Sequence, residues 1–494
     1  MLYATGADLQ SINPLVAVHP LAKQVQNHVL FLTLAARDSA LRPVPRLATW
    51  EWGDARTVLR LALRRDVTWH DGPPTTADDV VWTIERARDP AVAYPRASEL
   101  RDLAAVVRED SFTVVLRFRG PQPSFPDVLT DLAILPAHLL TDVPPGDLRT
   151  HAFNRAPVGN GPFAFVEYRP NQRWVFRRYD GFPADLGRPH IERLVVVVVD
   201  EPATKLAALT SGELDFAGIS PAHAAFAHEN PRLHVIDYPI ALTYGVIFNL
   251  RRPPFDDVRV RRALSRAVDR RMIIEGYLYG FGSPAAGPVH PDHPWAEPVS
   301  PVAHDPAAAR RLLDEAGWRT GSDGIRSRDG RRLAFDLLTV GSGDLTLEQM
   351  LESQWRAAGA DVRIRRVELA TFLATAQGPA RDFDALVAGI PGLVSLGHVA
   401  ALYEGDGPLA YAGSRSDDLA SAFARVGSAR TDDDLGVAWH AVQRVLAADE
   451  PSAWLYHARG VQGAARRIGG VRMDLRGELA GIAAWTVGDV GEDQ

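Results

Sequence analysis

The sequence FNLRRPPFDDVRVRRALSRAVDRRMIIEGYLYGFG, residues 248–282, is the most strongly patterned stretch of the chain. The apolar run 244–248 leads into Asn249 and predicts a strand. Pro253 and Pro254 then predict a turn, because proline cannot continue a strand ladder. Asp256 or Asp257 is placed to cap the helix that follows. The apolar stripe of this helix recurs at helical spacing and consists of Val260, Ala263, Leu264, Ala267, Val268 and Ile274.

The arginines of this helix are predicted to face solvent. Arg259, Arg262, Arg266 and Arg270 fall mostly away from the apolar stripe, and carboxylates are interleaved with them. The whole chain has a formal net charge of −7, so it has no basic footprint. We therefore expect no nucleic acid among its partners.

Length and composition indicate a globular protein with more than one domain. A chain of 494 residues is too long for one core, and its 46% hydrophobic and 23% charged residues are ordinary proportions. The absence of cysteine excludes disulfides, thiol catalysis and cysteine-ligated metals. The opening MLYATGADLQSINPL reads as a strand and a loop, not as a signal peptide. We expect that a signal peptide has been removed, although a cytosolic protein would begin in the same way.

Several stretches resemble, in the same order, the extracytoplasmic solute-binding proteins of ABC importers, in the family that serves peptides, dipeptides and nickel. Besides residues 248–282 they are LRLALRRDVTWHDGPPTTADDVVWTIERA (59–87), ILPAH (134–138), PVGNGPF (157–163), SGELDF (211–216), DPAAARRLLDEAGW (305–318) and DFDAL (382–386). Asn160 replaces the threonine that is usual in the third of these motifs. The resemblance covers nearly the whole chain, from Leu2 to about Thr486.

This resemblance implies an α/β periplasmic-binding-protein fold of type II, in its large three-domain variant, with a ligand cleft between two lobes. The order of strand, helix and strand in 195–216 and in 333–367 is that of layered α/β units. The expected divisions are residues 1–35, 158–240 and 471–494 for lobe I, residues 36–157 for an additional domain, and residues 241–470 for lobe II. Such a protein encloses its ligand by hinge closure.

Two short motifs in the first half suggest chemistry, and a structural role explains both better. His70 and Asp71 resemble a catalytic dyad, but adjacent residues on a hairpin turn seldom converge on one substrate atom. The glycines of 157–163 suggest a phosphate loop, but no GK[ST] and no helical pattern follow them. We expect turn chemistry at the first motif and a tight crossing between domains at the second.

Two further motifs are acidic or histidine-rich. Glu213 and Asp215 are two residues apart on a predicted strand, which favours a structural role over an acid pair. His290 and His293 flank an aspartate in a proline-rich loop and are suitable metal ligands by type, but no further ligand can be named. The sequence therefore predicts neither a metal site nor a cofactor.

The solute contacts predicted from the resemblance are Tyr244, Asn249, Gly389, Ile390, Pro391, Tyr403 and Trp485. Peptide-binding members of the family often carry a glutamate in the segment that matches 28–34, where Leu32 stands here. They also carry a tryptophan and then an aspartate after the strand that matches 385–391, where VAGIPGLVSLGHV has no acid. Because neither place offers a carboxylate to a free ammonium group, we predict a neutral, sugar-like or otherwise non-zwitterionic solute, or an unusual peptide.

The predicted function is that of the solute-binding component of an ABC import system. It would capture a small solute, peptide-like or other, and deliver it to a membrane permease, as a monomer and without catalysis. The expected location is the periplasm or, as a lipoprotein, the cell surface. The alternatives are a cytosolic ligand sensor of the same fold and a hydrolase, for which no GxSxG, HExxH or Walker A motif is present.

Overall fold

The chain divides into two compact units. The computed structural model describes residues 1–17, 19–341, 344–392 and 396–488. Unit 1 comprises Met1–Tyr238 and Gly460–Gln494, and unit 2 comprises Pro239–Arg459. The chain passes from unit 1 to unit 2 after Tyr238, two residues before the predicted boundary at 240. It returns to unit 1 at Gly460, eleven residues before the predicted return at 471. The predicted separate domain 36–157 falls inside unit 1 and stays a prediction.

Strands account for much of unit 1 and connect it to unit 2. The strands up to the first crossing are β1 (Leu2–Thr5), β2 (Ala35–Arg37), β3 (Pro43–Pro45), β4 (Ala48–Gly53), β5 (Val58–Leu63), β6 (Leu103–Asp110), β7 (Thr113–Phe118), β8 (Phe163–Arg169), β9 (Arg173–Arg178), β10 (Arg193–Val198), β11 (Phe216–Gly218) and β12 (Leu233–Phe248). The later strands are β13 (Gly282–Pro284), β14 (Arg319–Thr320), β15 (Arg326–Arg328), β16 (Arg331–Arg332), β17 (Ala334–Val340), β18 (Asp361–Val367), β19 (Ala385–Pro391), β20 (Ser452–Ala465), β21 (Ile468–Gly469) and β22 (Thr486–Val487). Both crossings between the units therefore occur inside strands, β12 and β20.

Helices alternate with these strands. Those of unit 1 are α1 (Pro20–Val25), α2 (Ala77–Arg88), α3 (Val128–Asp131), α4 (Ala137–Leu140), α5 (Pro202–Ser211) and α6 (Ala224–Glu229). Those of unit 2 are α7 (Val258–Ala267), α8 (Arg270–Gly276), α9 (Pro306–Glu315), α10 (Thr346–Ala358), α11 (Leu369–Gln377), α12 (Gly397–Tyr403), α13 (Asp417–Ser428) and α14 (Asp432–Asp449). Within the described residues, no helix is both long enough and apolar enough to cross a membrane.

The main sheet of unit 1 has the order β8-β9-β10-β1-β11-β20. β1 runs parallel to β10 and to β11, and β20 pairs antiparallel with β11. The run of five valines, 195–199, predicts a fully buried strand, and this prediction was wrong in detail. Val196 is buried, whereas its neighbours in β10 are half-buried, because side chains alternate between the two faces of the sheet.

A second sheet of unit 1 has the order β4-β5-β7-β6. Helix α2 packs beside it. The pattern Thr76–Asp79 predicts a capping box at its start, and the structure contains it: the Thr76 side chain accepts the Asp79 amide, and the Asp79 side chain accepts the Thr76 amide. The Asp79 carboxylate also accepts hydrogen bonds from Trp69 Nε1 at 3.2 Å and from the Ala137 amide at 2.8 Å. This one buried acid therefore fixes the helix start to two loops.

The motif 157–163 packs against the chain near Leu30. A Cβ on Gly159 would lie 2.0 Å from the Leu30 carbonyl oxygen, and a Cβ on Gly161 would lie 2.6 Å from the Leu30 carbonyl carbon. Asn160 Oδ1 accepts the Leu32 amide at 2.9 Å. The glycines therefore permit a close approach of two backbones, and no side chain would fit between them.

The first helical segment is shorter than the sequence pattern predicts. Helix α1 ends at Val25, and a π-helical turn, Gln26–Leu30, follows it. The apolar pattern of this segment predicts a helix through Leu34, and this prediction was wrong, because the backbone after Leu30 bonds to other segments instead. The Leu32 amide bonds to Asn160, and the Leu32 carbonyl accepts the Ile134 amide at 3.0 Å.

The sheet of unit 2 has the order β18-β17-β19-β12-β20. β17 runs parallel to β18 and β19, whereas β12 and β19 are antiparallel. Helices α7 and α10 pack together, and Trp355 Nε1 donates a hydrogen bond to the Leu264 carbonyl at 2.9 Å. The stretch 305–318, with a proline directly after an aspartate, predicts a helix, and it forms as α9. Pro306 is at its first position, and the Asp305 side chain caps it by accepting the Ala308 amide.

The stretch 248–282 forms two helices instead of the single predicted one. Asp257 caps α7 by accepting the Arg259 amide, which settles the choice between the two predicted capping residues. Val268 leaves the helical conformation, and Asp269 caps α8 by accepting the Met272 amide. The second cap explains the break, because a side chain that binds the backbone amide three residues ahead starts a new helix.

Two of the arginines in this stretch are buried, so the prediction of a solvent-facing Arg270 was wrong. The Arg270 guanidinium donates to four carbonyl oxygens, those of Ser265, Val268, Val302 and Trp454. Burial lowers the pKa of Arg270 to about 10. Arg261 is also buried and donates to the carbonyls of Phe255, Asp449 and Glu450. Each buried arginine here therefore donates several hydrogen bonds to backbone carbonyl oxygens.

Candidate functional site

Three tyrosines and one carboxylate form a group in unit 2, which we call the tyrosine group. Tyr244 lies on β12, Tyr456 on β20, Tyr277 directly after α8, and Glu348 in the first turn of α10. The rings of Tyr244 and Tyr456 stack with their centroids 5.0 Å apart. None of the three phenol hydroxyls has a hydrogen-bond partner among the described residues. The group therefore combines an aromatic surface with hydroxyls that are not used by the fold.

Glu348 supplies the negative charge of the tyrosine group. It is buried, and its carboxylate accepts a hydrogen bond from Thr339 Oγ1 at 2.6 Å. Burial raises the pKa of Tyr244, and the negative charge of Glu348 adds to the effect. The pKa values of Tyr277 and Tyr456 are raised for the same reasons, with the neighbouring phenols contributing. All three tyrosines therefore stay protonated and act as hydrogen-bond donors at neutral pH.

Gly389 positions the ring of Tyr244. The two residues are directly opposite each other in the β12–β19 pair. A Cβ on Gly389 would lie 2.9 Å from Cζ of Tyr244, closer than real contacts allow. Ile390, the next residue, is buried in the apolar core of unit 2, and Pro391 is exposed at the end of β19. Two of the predicted contacts, Tyr244 and Gly389, are thus brought together. Residues 393–395, which follow this strand, lie outside the described residues.

Replacing Gly389 with alanine is expected to displace the Tyr244 ring. The new methyl group must push the ring off its partner Tyr456, which should cost about 1–3 kcal/mol of stability by overpacking. Thermal unfolding of the variant measures this loss. Gly427→Ala is the control, because a Cβ there meets nothing within 4 Å. Equal stability of the two variants would contradict the proposed packing.

Two of the predicted contacts, Asn249 and Tyr403, hold the fold of unit 2 together. Asn249 is fully buried, and its Nδ2 donates to the carbonyls of Arg381 and Phe383 at 3.2 and 2.8 Å. The Tyr403 hydroxyl bonds to Ser452 Oγ at 2.7 Å, and the side chain is buried. The polar groups of both side chains are thus already used inside the unit.

Trp485, the remaining predicted contact, belongs to an aromatic ladder in unit 1. It is fully buried and stacks on Phe216 with centroids 5.0 Å apart, and Phe216 stacks on Tyr3 at 5.4 Å. The indole Nε1 of Trp485 is buried without a hydrogen-bond partner among the described residues. The ladder ends at the Tyr3 hydroxyl, which donates to Glu478 Oε2 at 2.6 Å.

Glu478 accepts three hydrogen bonds on one carboxylate oxygen. This role was not predicted from the sequence. Its Oε2 also accepts from Gln462 Nε2 at 2.8 Å and from the Tyr238 hydroxyl at 3.4 Å. No arginine or lysine among the described residues forms an ion pair with it. Burial of the carboxylate raises the pKa of Glu478, although its three donors act in the opposite direction. Nothing in the neighbouring residues RGELAG signals this role, because its partners come from three distant strands.

Leu32 is fully buried in the apolar core of unit 1. The position offers no carboxylate, and the neutral or otherwise non-zwitterionic solute stays a prediction.

The motifs with suspected chemistry have structural partners. His70 Nε2 bonds to the Gly161 carbonyl at 3.0 Å, whereas Asp71 Oδ2 bonds to His138 Nε2 at 2.9 Å. Asp215 accepts the Leu2 amide at 2.7 Å and pairs with Arg467, and so fixes the start of β1. These contacts agree with the structural interpretation of the His70–Asp71 pair and of Asp215.

The histidine loop serves as a turn. Nδ1 of His290 accepts the Asp292 amide at 3.1 Å, and Nδ1 of His293 accepts the Trp295 amide at 3.0 Å. Each ring therefore caps the backbone two residues ahead of it. Across the described ranges, no group of three or more histidine, aspartate or glutamate side chains is arranged to hold a metal ion.

Comparison with known proteins agrees with this architecture. The profile of the bacterial extracellular solute-binding proteins, family 5 (middle region), matches residues 42–398. The oligopeptide-binding protein AppA of Bacillus subtilis is 27% identical over 438 residues, which cover 86% of this chain and 79% of AppA. Protein XP55 of Streptomyces lividans is 30% identical over 462 residues, which cover 91% of this chain and 83% of XP55.

Solved structures show the same fold. The structure of Bacillus subtilis AppA in complex with a nonapeptide superposes with a TM-score of 0.79 at 23% identity, and covers 99% of both chains. NikA of Brucella suis in complex with Fe(III)-EDTA reaches a TM-score of 0.88 at 20% identity, again over 99% of both chains. At these identities the likeness concerns the fold alone.

These findings define a solute-binding protein with the two-lobed α/β fold of type II, as predicted from the sequence. The chain belongs to the bacterial extracellular solute-binding proteins of family 5. It is the solute-binding component of an ABC import system, acts outside the cytoplasm, and has a ligand and a membrane permease as partners.

Proposed function

We propose that this chain captures a short peptide or peptide-like solute at the tyrosine group and hands it unaltered to the permease. The observation that carries the proposal is the set of three phenol hydroxyls, none of them hydrogen-bonded to a described residue, within the electrostatic influence of the buried Glu348. A peptide offers carbonyl oxygens to the phenol donors and N–H groups to the carboxylate. Its flat amides and side chains can pack on the stacked rings.

The similar proteins support a solute of this kind. AppA of Bacillus subtilis is an oligopeptide-binding protein, and its structure holds a nonapeptide. NikA of Brucella suis was solved with a metal chelate, Fe(III)-EDTA, so the fold accepts other solutes as well. Among the described residues of this chain, no group of three or more histidine, aspartate or glutamate side chains is arranged to hold a metal ion.

We also propose that the chain acts as a monomer and performs no catalysis. We expect it to bind no nucleic acid, because its formal net charge is −7. It operates in the periplasm or as a lipoprotein on the cell surface. A leader sequence encoded by the gene would decide between these two locations.

Removing the hydroxyls of the tyrosine group is expected to weaken solute binding. A variant in which Tyr244, Tyr277 and Tyr456 are all phenylalanine keeps the rings and loses three hydrogen-bond donors. At about 0.5–1.5 kcal/mol for each bond, the affinity should fall roughly tenfold or more. Calorimetric titration with a defined mixture of di- to nonapeptides measures the loss, and mass spectrometry of the released peptides checks that they are unaltered.

Tyr403→Phe is the matched control, because that hydroxyl is buried and bonded to Ser452. It should lose some stability and keep the affinity of the unaltered chain. Peptide binding that is indifferent to the triple variant would refute the assignment of the site. Cleaved peptides in the released fraction would refute the absence of catalysis.

A further inference from the structure

A second side-chain pair joins the two strands behind the Tyr244–Tyr456 stack. Thr243 directly precedes Tyr244 on β12, and His457 directly follows Tyr456 on β20. Thr243 Oγ1 and His457 Nδ1 form a hydrogen bond at 2.8 Å, and both side chains are buried. Because successive side chains of a strand point to opposite faces, this bond lies on the other side of the sheet from the stacked rings. It therefore fixes the two strands at the position that carries the tyrosine pair.

The loop after β13 packs against this pair. The Pro288 carbonyl accepts hydrogen bonds from Thr243 Oγ1 at 3.4 Å and from the His398 ring. The His290 ring stands edge-on to the His457 ring, with centroids 5.0 Å apart. His398 belongs to α12, so these contacts connect two strands, one loop and one helix of unit 2. We call Thr243, Pro288, His290, His398 and His457 the histidine clamp.

A proton on His457 would be buried next to another imidazole. Ser283 is opposite His457 on β13, and Arg459 follows two residues later on β20. Asp292 lies 3.7 Å from His290, and its side chain is 63% exposed. Burial lowers the pKa of His457 to about 3, and the His290 ring adds to this effect.

The other two rings of the clamp are also held in their neutral form. Burial lowers the pKa of His398 to about 4, although its bond to the Pro288 carbonyl acts in the opposite direction, and nearby His293 lowers it further. Burial lowers the pKa of His290 as well, against the attraction of Asp292. The titratable groups on the opposite face of β12 and β20 are those of the tyrosine group, namely its phenols and Glu348. The clamp is therefore built for uncharged imidazoles.

We propose that His457 is a positioning residue for the tyrosine group, and that acid opens the histidine clamp, so that the Tyr244–Tyr456 pair loses its support and the solute is released. This regulation rests on the proposed function, which places the solute on that pair. A solvated histidine gains a proton near pH 6.5, whereas the buried rings of His457 and His398 stay neutral down to about pH 4. The open arrangement therefore gains on the closed one as the pH falls below 6.5, by about tenfold for each pH unit and each ring.

The size of this shift is large enough to open the clamp. At pH 4.5 it is about 100-fold for His457 and nearly as much for His398, on the order of 10,000-fold together. An opening that about one molecule in a thousand makes at pH 7.5 would then be the major form at pH 4.5.

Hydrogen exchange of the full chain at pH 7.5 and pH 4.5 tests the clamp without any solute. Mass spectrometry of peptides covering 239–248 and 452–459 measures the opening of the two strands, after correction for the intrinsic pH dependence of exchange. Protection in these peptides should fall by about 100-fold or more on acidification. A global unfolding curve would mix the two units, because burial also lowers the pKa values of His28 and His70 in unit 1.

Three variants separate titration from structure. His457→Asn keeps a hydrogen-bonding group for Thr243 and cannot gain a proton, so the acid-induced loss of protection should become about 100 times smaller. His398→Asn should reduce that loss to a similar extent. Thr243→Val removes the bond and keeps the titrating ring, so protection should fall at both pH values while the acid-induced loss persists. His304→Asn is the control and should leave the acid-induced loss unchanged, because that exposed ring pairs with Asp269 outside the clamp.

Solute release is measured separately, by titration of the defined peptide mixture at both pH values. The affinity of the unaltered chain should fall about tenfold or more at pH 4.5, and that of the double variant His457→Asn/His398→Asn less than about threefold. An acid-induced loss of protection that is equal in the unaltered chain and in His457→Asn would refute the clamp. Loss of protection without loss of affinity would refute its role for the tyrosine group. Peptide binding at pH 7.5 that is indifferent to the phenylalanine variants would refute the proposed site and leave the exchange result standing, so the two can fail independently.

Discussion

Replacing Gly159 with alanine is expected to destabilise unit 1 by roughly 4 kcal/mol or more, a large part of the stability of an ordinary domain. The added Cβ would lie 2.0 Å from the Leu30 carbonyl oxygen. That oxygen is held in place because it accepts the Gly161 amide at 2.9 Å. The backbone after Leu30 is also held, because the Leu32 amide donates to Asn160 Oδ1. Two backbones, and not a flexible side chain, would therefore have to move apart.

Urea unfolding monitored by circular dichroism measures this effect, together with the soluble yield. Gly120→Ala is the matched control in the same unit, since a Cβ there has no neighbour within 4 Å. It should change the stability by no more than about 0.5 kcal/mol. A Gly159 variant that unfolds at the same urea concentration as the control would contradict the close contact.

Replacing Arg270 with methionine is expected to destabilise unit 2 by about 2–4 kcal/mol. Methionine preserves much of the apolar stem but removes the Arg270 donor from the carbonyls of Val268, Val302 and Trp454, whereas the Ser265 carbonyl keeps the Val268 amide as a donor. The buried cation has a desolvation cost of its own, which the substitution removes. The net loss is therefore smaller than three separate unsatisfied carbonyls would give.

Arg271→Met is the control for this substitution. Arg271 is the next residue on α8, its side chain is 84% exposed, and it pairs only with Glu275 one turn away. Loss of such a surface pair costs about 0.5 kcal/mol or less. Thermal unfolding of the two variants should separate them clearly, and equal midpoints would mean that the carbonyls around Arg270 find other donors.

Much of the fold could be predicted from the sequence because its signals are local. The capping pair Thr76–Asp79, the proline at the start of α9 and the βαβ order of unit 2 each depend on residues a few positions apart. The break between α7 and α8 was missed because the apolar stripe continues through Val268 and conceals the second cap at Asp269. The burial of Arg270 was missed because its carbonyl partners lie in loops that periodicity does not locate.

The candidate site was harder to predict, since its members are distant in sequence. Tyr244 and Gly389 were proposed because Tyr244 directly precedes the 248–282 stretch that resembles the family and Gly389 follows the DFDAL motif (382–386). Tyr277, Glu348 and Tyr456 have no such mark, and one strand and two helices bring them to one place. Glu478 and Gln462 became recognisable only through hydrogen bonding, because a carboxylate without a counter-charge is defined by its surroundings and not by its neighbours in the chain.

The way in which unit 2 interrupts unit 1 has a consequence for synthesis. Unit 2 is one continuous segment, so all of its strands are present once Arg459 has left the ribosome. Unit 1 lacks the antiparallel partner of β11 until β20 is complete, and lacks the indole ring that stacks on Phe216 until Trp485 has been made. The inserted unit is therefore expected to fold first during translation, and a nascent chain stopped before residue 460 should contain a protease-resistant second half beside an unfinished first half.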